Sequence, residues 1–200
     1  MNVMLIDYGA GNVASVERAL QRLGARSQRS HSPQCIAKAE ALLLPGVGHY
    51  AALIRALDER ALRAPLLDAL QRGVPFLGVC LGLQALYETS EEAPELSGLH
   101  LLHGSVRSLP ATVKLPHMGW NQLQLARPSR LLEGISADAY FYFAHSFAAS
   151  SNGDAVALSN HGADFAAVIE RKNIFGVQFH PEKSGAPGAQ LLENFLRLAA

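Results

Sequence analysis

Cysteine is almost missing from this chain of 200 residues: only Cys35 and Cys80 occur, and neither belongs to a Cys-x-x-Cys pair. A disulfide framework or a zinc cluster therefore has almost nothing to be built from, and no metal or other cofactor is expected. Charge of one sign is missing as well, because 17 lysines and arginines balance 17 aspartates and glutamates. With no basic field to neutralise phosphates along a duplex, nucleic acid is not an expected partner. Long apolar runs are also absent: charges interrupt the hydrophobic stretches, and the opening MNVMLIDYG lacks a basic segment ahead of an apolar one. That pattern argues against secretion and membrane association and for a cytoplasmic protein. No repeat of fixed period and no Ser/Gly/Pro tract of linker length divides the chain. Residues 1–200, with 49% hydrophobic and 17% charged, are expected to fold as one domain around one sizeable core.

What is present is an alternation of elements. Asn2 to Ile6 is a short apolar run, and Val13, Val16, Leu20 and Leu23 follow at helical spacing up to Gly24. The periodicity predicts strand, then amphipathic helix. Ala41 to Leu44 leads into Pro-Gly-Val-Gly and a leucine-periodic stretch from Tyr50 to Gln71, with a break expected near Pro65; Pro75 to Val79 then enters a helix expected over Leu81 to Glu88. Strands apolar throughout and alternating with helices imply an α/β fold with a mostly parallel central sheet covered on both faces. In the second half, Leu102–Ser108, Trp120–Leu125, Ala139–Phe143, Asp154–Ser159, Ala166–Arg171 and Ile174–Phe179 follow one another without helical segments. They predict an additional antiparallel region, closed by a C-terminal helix carrying Leu191, Leu192, Phe195, Leu196 and Leu198.

The sharpest local feature is Gly78-Val79-Cys80-Leu81-Gly82, between an apolar strand and a helical pattern. Glycines on both sides of a nucleophile suit a tight strand-to-helix turn, where side chains would collide with neighbouring strands. The thiol would stand exposed at a strand end and at a helix N-terminus, which favours thiolate over thiol. A base is available in His180-Pro181-Glu182, which follows another apolar run. His180 would take and return the proton while Glu182 fixes its tautomer and supports the imidazolium. Pro45-Gly46-Val47-Gly48 also ends a strand and lacks the Gly-Lys-Ser/Thr of a phosphate loop. Opposite a thiolate it suits an oxyanion hole, with donors from the backbone around Val47 and Gly48 and from Leu81. Asp7, ahead of a glycine-rich turn, is read as a structural cap and Cys35 as structural. The histidines at 31, 49, 100, 103, 117 and 161 receive no catalytic role.

Pro-Gly-Val-Gly, then Gly-Val-Cys-Leu-Gly-Leu-Gln, then Val-Gln-Phe-His-Pro-Glu, in that order, together resemble the class I glutamine amidotransferases of the triad type. Three further segments, Asp7–Asn12, Pro116–Asn121 and His180–Ser184, narrow the likeness to glutaminase subunits that pass ammonia to a separate (β/α)8-barrel cyclase subunit, and the likeness covers essentially the whole chain. The resemblance implies a flavodoxin-like amidotransferase fold and hydrolysis of glutamine through a cysteinyl thioester. It makes Cys80 the nucleophile, His180 the base and acid, and Glu182 its orienter. Gly46, Gln84, His145, Ser146 and Phe147 become glutamine-binding residues, although tyrosine is commoner in the family where Phe147 stands. A docking face for the cyclase is expected at Tyr8, Gly9, Gly11, Asn12, Met118, Trp120, Asn121, Tyr142 and Lys183, where aromatic residues lie beside glycine turns at strand ends. Two other readings remain open at this point: a glutaminase subunit serving another synthase, such as that of pyridoxal phosphate, and a free-standing γ-glutamyl hydrolase.

Overall fold

The computed structural model describes residues 2–9, 12–151 and 153–200. The first half alternates as expected: β1 (Asn2–Ile6), α1 (Val13–Arg22), β2 (Arg26–Ser30), α2 (Pro33–Ala37), β3 (Ala41–Gly46), α3 (Tyr50–Glu59), α4 (Arg63–Gln71) and β4 (Phe76–Cys80). A single helical turn, α5 (Leu81–Gln84), and a short strand, β5 (Thr89–Ser90), follow. The second half supplies β6 (Ser105–Ser108), β7 (His117–Gln122), β8 (Gln124–Leu125), β9 (Tyr140–His145), β10 (Phe147–Ala149), β11 (Ala155–Asn160), β12 (Asp164–Arg171) and β13 (Ile174–Val177), before α6 (Gly185–Leu198).

The main sheet has the order β2-β1-β3-β4-β13-β12-β11-β8. Pairings from β2 to β13 are parallel, and β12, β11 and β8 extend the sheet antiparallel. Strand alternation divides the core into two halves. Met4, Ile6, Leu42 and Leu44 face the layer containing α3 and α4, while Val3, Leu5, Leu43 and Leu77 face α1 and α6. Leu191, Leu192 and Phe195 of α6 are fully buried on that second side, each removing from water side-chain area that contributes roughly 1.5–3 kcal/mol. Two smaller sheets, β10-β6-β5 and β7-β9, stand where the antiparallel region was expected. Chain order reverses between β1 and β3, so the segments after them open a crevice at the carboxyl ends of the parallel strands, the place where such sheets bind ligands.

Several boundaries differ from the sequence expectation. The helix expected to run to Glu88 stops after one turn, because Ala85 onward folds back to bond the segment Gly98–Leu102. The break between α3 and α4 falls at Ala61, which takes φ 54°, not at Pro65; proline is the third residue of α4, where no intrahelical N–H bond is required of it. Strand β2, of sequence Arg-Ser-Gln-Arg-Ser, gave no apolar signal because it is the edge of the sheet and pairs only with β1.

Candidate active site

Cys80 ends β4 with φ 55° and ψ −107°, a conformation that side chains rarely adopt and that costs backbone energy. The flanking glycines are there for close approach: a Cβ on Gly78 would lie 2.5 Å from the carbonyl oxygen of Gly82, and one on Gly82 would lie 2.0 Å from that of Leu44. The turn thus has the geometry of a nucleophile elbow, which lifts the sulfur to the strand end. With α5 only one turn long, the expected helix-dipole assistance gives way to direct contacts. The Gln178 side-chain amide donates to Cys80 Sγ at 3.5 Å, and its own oxygen accepts from Gln84 Nε2 at 3.0 Å.

His180 follows β13, the strand that pairs parallel with β4, so the two strand ends bring residues 100 apart in sequence together. Its Nδ1 lies 3.0 Å from Glu182 Oε1, and both side chains are almost completely buried. Burial works against the imidazolium, but hydrogen bonds to Cys80 and to Glu182 outweigh it and hold His180 up at about 9. The Glu182 carboxylate is further held by Asn12 Nδ2 at 3.2 Å. Ser184 closes the turn, since its hydroxyl donates to the His180 carbonyl at 2.6 Å and accepts from Tyr142 N–H at 3.0 Å.

Cys80 and His180 open onto one cavity of about 750 Å³. Val47, Gly48, Leu81 and Gln84 line it, as do His145, Ser146 and Phe147, so nearly all the expected oxyanion and substrate residues converge there. Gly46 does not reach it; this glycine lies beneath, packed so closely that a Cβ would meet that of Leu81 at 2.6 Å. The Gln84 amide nitrogen donates to the Phe147 carbonyl at 2.8 Å as well as to Gln178, and its buried oxygen has no partner among the described residues. The Val47 N–H is not turned to an oxyanion: it donates to the Tyr8 hydroxyl, which in turn donates to the Val47 carbonyl, both at 3.3 Å.

Around the cavity mouth the expected docking residues divide. Met118 and Trp120 are 64% and 56% exposed, the Trp120 ring meets Tyr142 edge-on at 5.9 Å, and Lys183 Nζ sits 5.6 Å from the Tyr142 ring centroid. These four form one surface, with Gly9 exposed and Asn12 at the cavity wall. Tyr8 is corrected to a buried residue, only 3% exposed, because its hydroxyl is engaged by the Val47 loop. Asn121 is corrected as well: its amide turns inward to Asn160 and His117 instead of outward. Gly11 lies outside the described residues. Asp7 caps its turn through Gly9 N–H at 3.0 Å, as expected, and Cys35 is half-buried at the edge of the core.

Sequence reasoning missed two site residues. Gln178 is fully buried; a lone amide in the apolar run from Ile174 to Phe179 was the available signal, since a buried polar side chain needs a partner. Glu92 places a carboxylate on the cavity wall, where it also accepts from Tyr50 N–H at 2.9 Å. No periodicity marks it, because it belongs to an irregular loop.

The profile of the family described as glutamine amidotransferase class-I matches residues 4–199. The chain belongs to this family. Its similar curated relatives include the imidazole glycerol phosphate synthase subunit HisH of Desulfitobacterium hafniense, 47% identical over 193 residues and covering 96% of this chain and 92% of that one. The subunit of the same name from Methanothermobacter thermautotrophicus is 45% identical over 197 residues, 98% of each chain. Among solved structures, a glutamine amidotransferase superposes with TM-score 0.79 at 20% identity over 98% of both chains. The structure of PurLQS from Thermotoga maritima superposes with TM-score 0.76 at 19% identity, covering 98% and 97%. These likenesses carry the amidotransferase fold, a large mostly parallel sheet with helices and antiparallel additions.

Proposed function

We propose that this chain is the glutaminase subunit of imidazole glycerol phosphate synthase. In this reading it hydrolyses glutamine and passes ammonia to a (β/α)8-barrel cyclase, which forms imidazole glycerol phosphate and an aminoimidazole carboxamide ribonucleotide in histidine biosynthesis, in the cytoplasm. The observation that carries the reading is the strained elbow of Cys80 sharing a cavity with a buried His180 that is bonded to Glu182.

In the proposed cycle His180, bonded through Nδ1 to Glu182, takes the proton of the thiol as the attack begins. The sulfur attacks the side-chain amide carbon of glutamine, and His180 protonates the departing nitrogen so that ammonia leaves and a glutamyl thioester remains. His180 then removes a proton from water, which attacks the thioester carbon; the carbon–sulfur bond breaks, glutamate departs, and the imidazole returns its proton to the sulfur. Gln178 supplies an N–H to the sulfur whenever it carries charge. The free amino-acid end of glutamine would lie along Ser146 and Phe147, with its ammonium toward Glu92, whose carboxylate is an acceptor on the cavity wall. The surface formed by Met118, Trp120, Tyr142 and Lys183 is the proposed cyclase contact, its aromatic rings beside a cation being the composition of an interface core.

The deciding experiment is glutamate release with and without the cyclase subunit and its nucleotide. Low turnover alone and a marked rise with both are expected, whereas equal turnover in the two conditions would favour a free-standing γ-glutamyl hydrolase. The Tyr8 contact gives the physical reason for low basal turnover: the Val47 N–H is occupied by a hydroxyl that burial pushes up to about 12 and keeps protonated. Gly48, at φ 96° with open space where a side chain would stand, leaves this loop free to rotate once the hydroxyl lets go. Tyr8→Phe should therefore raise glutamate release by the isolated chain by about fivefold, the equivalent of about one hydrogen bond. A basal rate at or below that of the wild type would remove the hydroxyl from this role.

A further inference from the structure

On β7, alternation places Met118 and Trp120 on the exposed side and His117 and Asn121 on the other. The inner pair begins a chain of hydrogen bonds whose direction is fixed at both ends. At one end the Asn121 amide has a single possible orientation, because its oxygen accepts from Gln122 N–H at 2.8 Å and its nitrogen donates to the Asn160 carbonyl at 2.9 Å. The remaining N–H of that amide points at His117 Nε2, 3.2 Å away, so this ring nitrogen must be bare. His117 then carries its hydrogen on Nδ1, which lies 3.0 Å from His145 Nε2. At the other end His145 Nδ1 lies 2.9 Å from the Phe147 carbonyl oxygen, which accepts only, so the His145 hydrogen also sits on Nδ1.

The two ends thus impose the same answer on both rings. A proton added to either would set two N–H groups face to face at a distance of 3.0 or 3.2 Å. Burial acts in the same sense, holding His117 down at about 4 and His145 at about 3. The His117 ring is clamped between Phe143 at 4.8 Å and His161 at 4.2 Å, which keeps its nitrogens on line.

We propose that His117, acting through His145, is a positioning residue for glutamine: the relay Asn121–His117–His145 pins the Phe147 carbonyl and so sets the cavity wall formed by Ser146 and Phe147. The Phe147 carbonyl receives two donors, His145 Nδ1 and Gln84 Nε2, and Ser146 is tied by its carbonyl to Leu109 N–H at 2.9 Å. The relay therefore joins the wall of the substrate pocket to Gln84 on one side and to the inner face of β7 on the other. The assignment of a role rests on the glutaminase reading, but the protonation pattern does not.

The test has a spectroscopic arm and a kinetic arm, both on the full chain. In long-range nitrogen–proton spectra near neutral pH, His117 and His145 should both be neutral with hydrogen on Nδ1. His117→Phe keeps the ring stack and removes the donor. It should leave the His145 hydrogen on Nδ1, where the Phe147 carbonyl holds it, but shift the His145 Nε2 resonance as that nitrogen loses its donor, and raise the glutamine KM of the cyclase complex by about fivefold at unchanged kcat, the size expected for one lost hydrogen bond. His117→Asn, whose Nδ2 stands near the place of the imidazole Nδ1, should restore most of both. Iodoacetamide, which enters the same cavity but lacks the amino-acid end that Ser146 and Phe147 would hold, should label Cys80 equally fast in all three proteins. A hydrogen on Nε2 of either ring in the wild type overturns the relay, and that measurement stands even where a variant fails to fold. Equal losses in kcat and KM for both variants reduce His117 to a packing residue and overturn the positioning role. Expected tautomers in a wild-type complex that releases no glutamate would instead sink the assignment of function.

Discussion

Cys80→Ala is expected to abolish glutamate release, with a fall of at least about 10⁴-fold in the cyclase complex, because the covalent route has no substitute nucleophile at the elbow. The side chain removed is small, and alanine inherits the φ of 55° with no added Cβ penalty, so the melting temperature should change little. Glycine is the wrong control here: it would relax the backbone and alter the position of Leu81 at the same time. A glutamine-analogue electrophile should label the wild type at residue 80 and leave the variant unmodified, read by mass spectrometry. Labelling that persisted at another residue, or activity retained at more than about one part in 10³, would show that the thiol is not the attacking group.

Glu182→Gln carries the second large effect. The amide keeps the shape and an acceptor for His180 Nδ1 while losing the charge that supports the imidazolium. A drop in kcat of roughly 10²–10³-fold is expected, typical of removing the electrostatic partner of a catalytic base. The same change should move the His180 titration, followed by nuclear magnetic resonance, from about 9 toward its ordinary 6.5. The sign of the accompanying stability effect is set by linkage. A histidine whose folded value lies above its unfolded one stabilises the fold fully below the unfolded value, and that stabilisation is lost as pH rises through the folded one. For the wild type the window therefore runs from 6.5 to about 9, and urea unfolding across it should show a decline that is shallower in Glu182→Gln. A wild-type curve flat over that window, with an unmoved His180 titration in the variant, would mean that the carboxylate does not support the imidazolium.

The legible parts of this protein were those in which one local rule dominates. The parallel half could be read because β3 and β4 are buried on both faces and therefore apolar at every position. The elbow at Cys80 could be read because glycine is the only residue that fits between β4, α5 and β3 at 78 and 82. What could not be read depends on contacts distant in sequence. The length of α5 is decided by Gly98–Leu102 bonding back onto residues 85–88, and no periodicity in Leu81–Glu88 carries that information. The inward turn of Asn121 is decided by the carbonyl of Asn160, and the burial of Tyr8 by the Val47 loop. Gln178 was hidden for the opposite reason: its neighbours Val177 and Phe179 read as core, and only the position of Gln84, 94 residues earlier, tells what its amide does.

Strand β13 has one further implication. Although it comes near the end of the chain, it lies in the middle of the sheet, flanked by β4 and β12. While a ribosome is still making residues beyond the first half, β4 has an open margin of unpaired amides and carbonyls beside the elbow, the kind of template on which foreign strands can add. Insertion of β13 both caps that margin and brings the imidazole that follows it beside the sulfur, so the two side chains meet only once this late strand is in place.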